Sequence, residues 1–186
     1  LVDFRVADAV TGGHAFRVIA AYETWFRREG ESGARALAAL RLLGFFDRPA
    51  APASLEALHA APAIPGMTEP LFTRPKGWRG WLKRPAPIDQ REWRITLHRL
   101  AEAGLVAPGG KDDALDAHPL VREYLAATLR EQAPAAWQEG HRRLYRQLAA
   151  SVPHRPEGLE ALQPLYQAVA HGCRAGLYEE ARAEVY

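Results

Sequence analysis

The chain has 186 residues, 48% hydrophobic and 25% charged, with a formal net charge of +2. That length suffices for one large domain or two small ones with a real core. A single cysteine, Cys173, excludes an internal disulfide and a cysteine-based zinc site. The small charge does not mark a nucleic-acid binder, although a sequence pI near 8.9 leaves basic surface available. No apolar run approaches the length needed to cross a bilayer and no signal peptide opens at Leu1, so a cytoplasmic location is the default expectation. "LVDFRV" at the start and "EEARAEVY" at the end both read as element interiors, which fits a piece of a longer protein.

In chain order, Val6 to Glu29 reads as helix interrupted near Gly12–Gly13, with Phe16, Ile19, Ala20 and Phe26 at helical spacing. "GESG" (Gly30 to Gly33) breaks it. "ARALAALRLLGFF" then puts Leu37, Leu40, Leu43 and Phe46 on one core-facing stripe. "DRPAAP" is a turn, and Ser54 is the expected N-cap of the short helix "LEALHAA". Prolines and glycines between Pro62 and Pro87 leave no room for a long helix. Asp89 with Glu92 is a capping-box start for "QREWRITLHRLAEAG", which puts Trp93, Leu97 and Leu100 on one face and stops at Gly104.

"LVAPGGKDDALDA" reads as two short strands about a Gly-Gly turn, and Pro119 to Glu131 as helix with a wide apolar face. Helix, short helix, helix and hairpin in this order outline a winged helix. After Pro134 come "AAWQEGHRRLYRQLAAS", "LEALQPLYQAVAHGCRAG" and "YEEARAEVY", three helices joined by short turns. Gly176, Tyr178 and Ala181 have the spacing of a tetratricopeptide turn, so a helical-repeat region is expected to begin here. The expected fold is mainly α: residues 1–33 end a helical domain, 34–132 form a winged helix with a proline-rich insertion, and 133–186 open a repeat-like region.

Catalytic signatures are missing. The chain has no G-x-x-x-x-G-K-[ST] loop, no G-x-S-x-G elbow and no H-E-x-x-H pair. The seven histidines are scattered, none three or four residues from another, which disfavours a close-spaced metal site. The chain by itself is therefore not expected to be an enzyme. Arg91, Arg94 and His98 share a face of the third winged-helix helix, next to Arg99. "RPKGWRGWLKRP", with Arg79 and Lys83, adds positive charge and the tryptophans Trp78 and Trp81. These residues read first as a solvated or partner-facing surface, with phosphate contact and base stacking as the alternative.

His118 stands in "LDAHPLVREY", with Pro119 at the first helical position. A helix start offers backbone N–H groups and partial positive charge to a phosphate, and an imidazole there adds a donor. The same ring also reads as a plain N-cap, with Asp116 holding the turn.

"LDAHPLVREY" resembles the methionine–histidine–aspartate motif and following helix in the winged-helix domain of STAND-class (NB-ARC- and NACHT-type) nucleotide switches. That class includes plant disease-resistance proteins, apoptosis-activating factors and bacterial relatives. Ala117 stands for the methionine and Pro119 for the aspartate. "GGHAFRV" (Gly12 to Val18) is similar to the class's "GLPLAL" segment, with Ala15 in place of an adenine-packing proline. "RALAALRLLGFFDRPA" and "APAIPGMTEPL" resemble bacterial members, in which tetratricopeptide repeats commonly follow.

The resemblance implies a regulatory role. A nucleotide-binding domain outside this chain holds ADP or ATP, with ATPase activity in the longer protein. His118, with Gly13 and Ala15, faces the nucleotide, and His118 reads the ADP β-phosphate. Exchange for ATP frees the winged helix for oligomerisation, and the repeats meet a protein partner. The competing readings are a DNA-binding regulator and a scaffold that senses nothing.

Overall fold

The computed structural model describes residues 4–73, 84–109, 114–152 and 158–185. It is mainly helical, with helices α1 (Phe4–Arg28), α2 (Gly30–Leu42), α3 (Pro52–His59), α4 (Gln90–Glu102), α5 (Pro119–Gln132), α6 (Pro134–Ala150), α7 (Leu159–Arg174) and α8 (Tyr178–Val185). Two short antiparallel pairs accompany them among the described residues. Strand β1 (Phe72–Thr73) pairs with β2 (Ala86–Pro87), and β3 (Ala107–Gly109) with β4 (Ala114–Asp116). No helix among the described residues is long and apolar enough to cross a membrane.

Helix α1 runs unbroken through Gly12 and Gly13, against the expected interruption. Two glycines cost the helix about 1 kcal/mol each relative to alanine. Ile19 and Phe26 are buried in the main core, and Phe16 and Tyr22 pack against it, so tertiary contacts carry the helix across. The break falls instead at Glu29, with "GESG" becoming the first turn of α2. Gly33 belongs there for a steric reason: a Cβ on it would collide with the Phe26 carbonyl across the tight corner between α1 and α2.

Leu37, Leu40 and Leu43 are buried as their spacing implies, while Phe45 rather than Phe46 fills the core after the 3-10 turn Leu43–Phe45. Gly44 lets that turn sit directly on the α5 backbone at Leu125 and Ala126. Ser54 does not cap α3. Ala51 occupies that position and Pro52 opens the helix, which leaves the Ser54 hydroxyl to donate to Gln147 on α6 (3.0 Å).

Asp89 caps α4 as expected, its carboxylate accepting the Glu92 N–H at 2.8 Å. The return half of the capping box is replaced by a longer contact, because Glu92 accepts from Arg35 of α2 at 2.8 Å. Gly104, at φ +68°, takes the left-handed turn that ends the helix. Ala50 exchanges two backbone hydrogen bonds with Leu115 of β4 (2.8 and 3.0 Å), adding a bridge beside the β3–β4 hairpin. Helices α2, α3 and α4 thus precede that hairpin in the order expected from the sequence.

Helices α5 and α6 close the main core with Val121, Leu125, Leu129, Ala136 and Leu144. Arg143 of α6 donates to the carbonyls of Ala60 and Pro62, both at 2.6 Å, and so clasps the loop after α3. A second small core, Tyr145, Leu148, Ala168 and Ala181, joins α6, α7 and α8. Gly176, at φ +77°, forms the α7–α8 turn.

Candidate functional site at the start of helix α5

The turn from β4 into α5 is held by one carboxylate. Asp116 accepts from the Ala117 N–H at 2.8 Å and from Arg122 Nη1 at 2.8 Å. The Arg122 side chain is only 11% exposed, so this pair is better shielded than an ordinary surface bridge. Its geometry fixes the direction from which the chain enters α5.

His118 is the N-cap, at φ −55° and ψ 138°, and its Nδ1 accepts the Leu120 N–H at 3.2 Å. An accepting Nδ1 carries no proton, so in the neutral ring the hydrogen lies on Nε2. The residue is exposed, which leaves that donor at the surface, beside the positive end of the helix dipole.

The backbone contributes less than a helix start ordinarily would. Pro119 has no N–H, Leu120 gives its own to the His118 ring, and Val121 donates to the His118 carbonyl at 2.8 Å. The expected cradle of free backbone donors is therefore used up by local capping. What the site presents is one imidazole N–H in a positive field.

Gly13 lies on α1, and a Cβ placed there would meet nothing within 4 Å, so open space adjoins it. His118 does not fill that space. The ordered link between α1 and α5 runs through Tyr124, whose ring meets Phe16 at 5.4 Å and whose hydroxyl donates to Glu23 at 3.1 Å. Buried Glu23 also faces Arg41 of α2 at 3.7 Å. Burial, then the Glu23 charge, raise the Tyr124 phenol above its ordinary pKa. Ala15 is in α1, but its side chain lies outside the described residues, as do Arg79, Lys83, Trp78 and Trp81 altogether.

The basic face of α4 separates into unlike parts. Arg91 and Arg94 are exposed, Arg94 reaching back to the Gln90 carbonyl. His98 faces Glu102 at 3.4 Å. Arg99 is drawn towards the corner between α1 and α2, where it pairs with Glu29, donates to Ser32 and lies 5.6 Å from the Trp25 ring. Exposed Ile95 and Trp25 line one shallow depression with His98, Arg99 and Glu102. A larger cleft of about 710 Å³ opens between α3, α4 and β4, with Leu55, Trp93, Leu97 and Leu115 along it. In that cleft His59 stacks on Trp93 at 5.3 Å and bonds the Leu71 carbonyl at 3.0 Å.

Among the described residues two of the scattered histidines meet. His141 of α6 and His171 of α7 face each other, Nδ1 to Nδ1, at 2.7 Å in the interior. Among the described residues no group of three or more potential ligands could hold a metal ion. The sequence reading missed this pair, since 30 positions separate its members. The available signal was that each histidine sits beside a glycine on the apolar side of an amphipathic helix.

No protein family, no curated protein and no solved structure matches the chain in the comparisons made.

Proposed function

We propose that this chain is the regulatory region of a STAND-type nucleotide switch and that His118 senses the ADP phosphate. The observation that carries the reading is the fixed ring of His118, with Nδ1 held by the Leu120 N–H and the opposite nitrogen exposed at a helix N-terminus. An anion approaching there meets a donor and a favourable dipole together. The open side of Gly13, on a helix packed against α5, is consistent with nucleotide lying between the two elements.

In this reading a nucleotide-binding domain elsewhere in the cytoplasmic parent protein holds ADP or ATP, and Gly13 and Ala15 border the base. ADP engages His118 and retains the winged helix. Exchange for ATP weakens that contact, and the winged helix and repeats move to permit oligomerisation. Such a switch needs only a contact that differs between the two nucleotide states. One charge-assisted hydrogen bond contributes about 1.5–3 kcal/mol, enough to bias the equilibrium but not to lock it. Partner proteins would dock on α7 and α8, where Tyr166 and Tyr178 are 57% and 65% exposed.

The test is basal output of the full-length protein. His118→Asn keeps an N-cap but its shorter amide cannot place a donor where Nε2 of the imidazole stands, so it should raise activity without added signal. Unchanged activity in His118→Asn, with ADP still bound after purification, would leave the ring as a cap alone. The DNA-binding reading has less support, because Arg99 is engaged by Glu29 and the neighbouring surface carries Ile95, Trp25 and Glu102.

A further inference from the structure

We propose that His141 and His171 form an acid-sensitive latch, whose protonation releases α7 and α8 from the winged-helix unit. The pair sits where the two hydrophobic cores adjoin. On one side the Phe45 ring lies 5.0 Å from His141 and 5.1 Å from Trp137. Gly140 makes room for that ring, since a Cβ there would collide with it. On the other side Gly172 lets Tyr145 and Ala181 approach the α7 backbone. His141 is fully buried and His171 is 7% exposed, and a 2.7 Å bond joins them.

That bond exists only when at least one ring is neutral at Nδ1. Two imidazolium rings present two donors and no acceptor at the contact. Among the described residues His141 Nε2 has no hydrogen-bond partner, and it is buried from water, so a proton placed there would find no acceptor. The favourable neutral arrangement has His141 donating from Nδ1, which leaves its Nε2 as a bare acceptor facing carbon.

The surrounding charges do not rescue the protonated form. Arg174 on α7 repels charge on either ring, while Asp47, after the 3-10 turn, attracts it at His171. Asp47 is tied to Arg48, which holds its carboxyl below the usual range, so it stays charged throughout. On α6, Glu139 is committed to Arg142 and Arg143, and on α8 Glu179 pairs with Arg182. Tyr145 packs one turn along α6, and Cys173 is exposed on α7.

Burial, then the neighbouring His171 and Arg174, press His141 down to about 3. Burial, then Arg174, press His171 to about 4. Both rings regain an ordinary value near 6.5 once the seam opens. Between about pH 4 and 6.5 the open state therefore binds more protons than the closed one. The latch is fully effective above pH 6.5 and is lost progressively as pH falls. From pH 7.5 to 5.0 the opening constant rises roughly 30-fold if one ring is released and several hundredfold if both are.

Hydrogen exchange by mass spectrometry on the 186-residue chain tests this, after correction for intrinsic exchange. Exchange in α7 and α8 should rise by that factor between pH 7.5 and 5.0, well ahead of α2 and α4. The double variant His141→Asn/His171→Asn preserves a donor–acceptor pair near the Nδ1 positions and should be flat over this range. Should it not fold, ¹⁵N-histidine NMR of the wild-type chain gives an independent reading. Two neutral rings in the closed state at pH 5, exchanging with protonated rings in the opened one, would support the latch. Protection in α7 and α8 that is pH-independent, or that tracks α2 and α4, overturns it. So do two rings titrating near 6.5 with no loss of protection.

Discussion

Phe45→Ala examines the joint between the two cores most severely. The ring is 2% exposed, stacked on Trp137 at 21° and edge-on to His141 at 70°, with Gly140 beneath it. Removing a buried phenylalanine ordinarily costs about 3–5 kcal/mol, part from lost transfer and part from the cavity left behind. The aromatic pairs add about 0.5–1.5 kcal/mol each beyond area. Gly140, on the rigid α6, has no side chain with which to fill the space. A loss of about 4 kcal/mol is therefore expected. At this chain length it lowers Tm by roughly 8–16 °C. Thermal unfolding followed by far-UV circular dichroism gives the global value, and Trp137 fluorescence reports the site itself. A loss below about 1 kcal/mol would mean that Phe45 is not the plug between α6 and the main core, and the seam as described would be wrong.

His118→Ala should cost about 1 kcal/mol of stability through the lost cap, whereas His118→Asn should stay close to wild type, both read from thermal melts. Asp116→Ala strips two hydrogen bonds from the strand-to-helix turn and leaves the shielded Arg122 head without its carboxylate. It should cost about 1–3 kcal/mol in urea titration and increase exchange at Leu120 and Val121. Duplex DNA should give no salt-sensitive retardation with the 186-residue chain. A steep salt dependence abolished by Arg91→Ala/Arg94→Ala would replace the switch reading with a nucleic-acid one.

Features specified by a few neighbouring residues were legible in advance. Asp89 with Glu92, Gly104, and the stripe of Leu37, Leu40 and Leu43 all took their expected roles. His118 also capped α5, a role open to it from sequence. Distant partners decided the rest. Gly12 and Gly13 stayed helical because Ile19 and Phe26 are buried in the core, and Glu92 turned to Arg35, 57 positions away. Ser54 left its cap for Gln147, 93 positions on, since Ala51 and Pro52 already started the helix. The β1–β2 pair escaped notice because two-residue strands carry no periodicity. His141 and His171 meet only once α6 and α7 pack antiparallel, with Tyr145 against Gly172 and Leu148 clustered with Ala168.

The sensing claim is most directly tested by the ADP affinity of the full-length protein, measured by calorimetry for wild type, His118→Ala and His118→Asn. Loss of one phosphate-directed hydrogen bond predicts weakening of roughly 10- to 150-fold in both variants, since the Asn amide restores the cap but is too short to place an N–H at the position of the imidazole Nε2. Equal affinity in all three proteins, or a loss in Ala that Asn repairs, would contradict a ring aimed at the diphosphate.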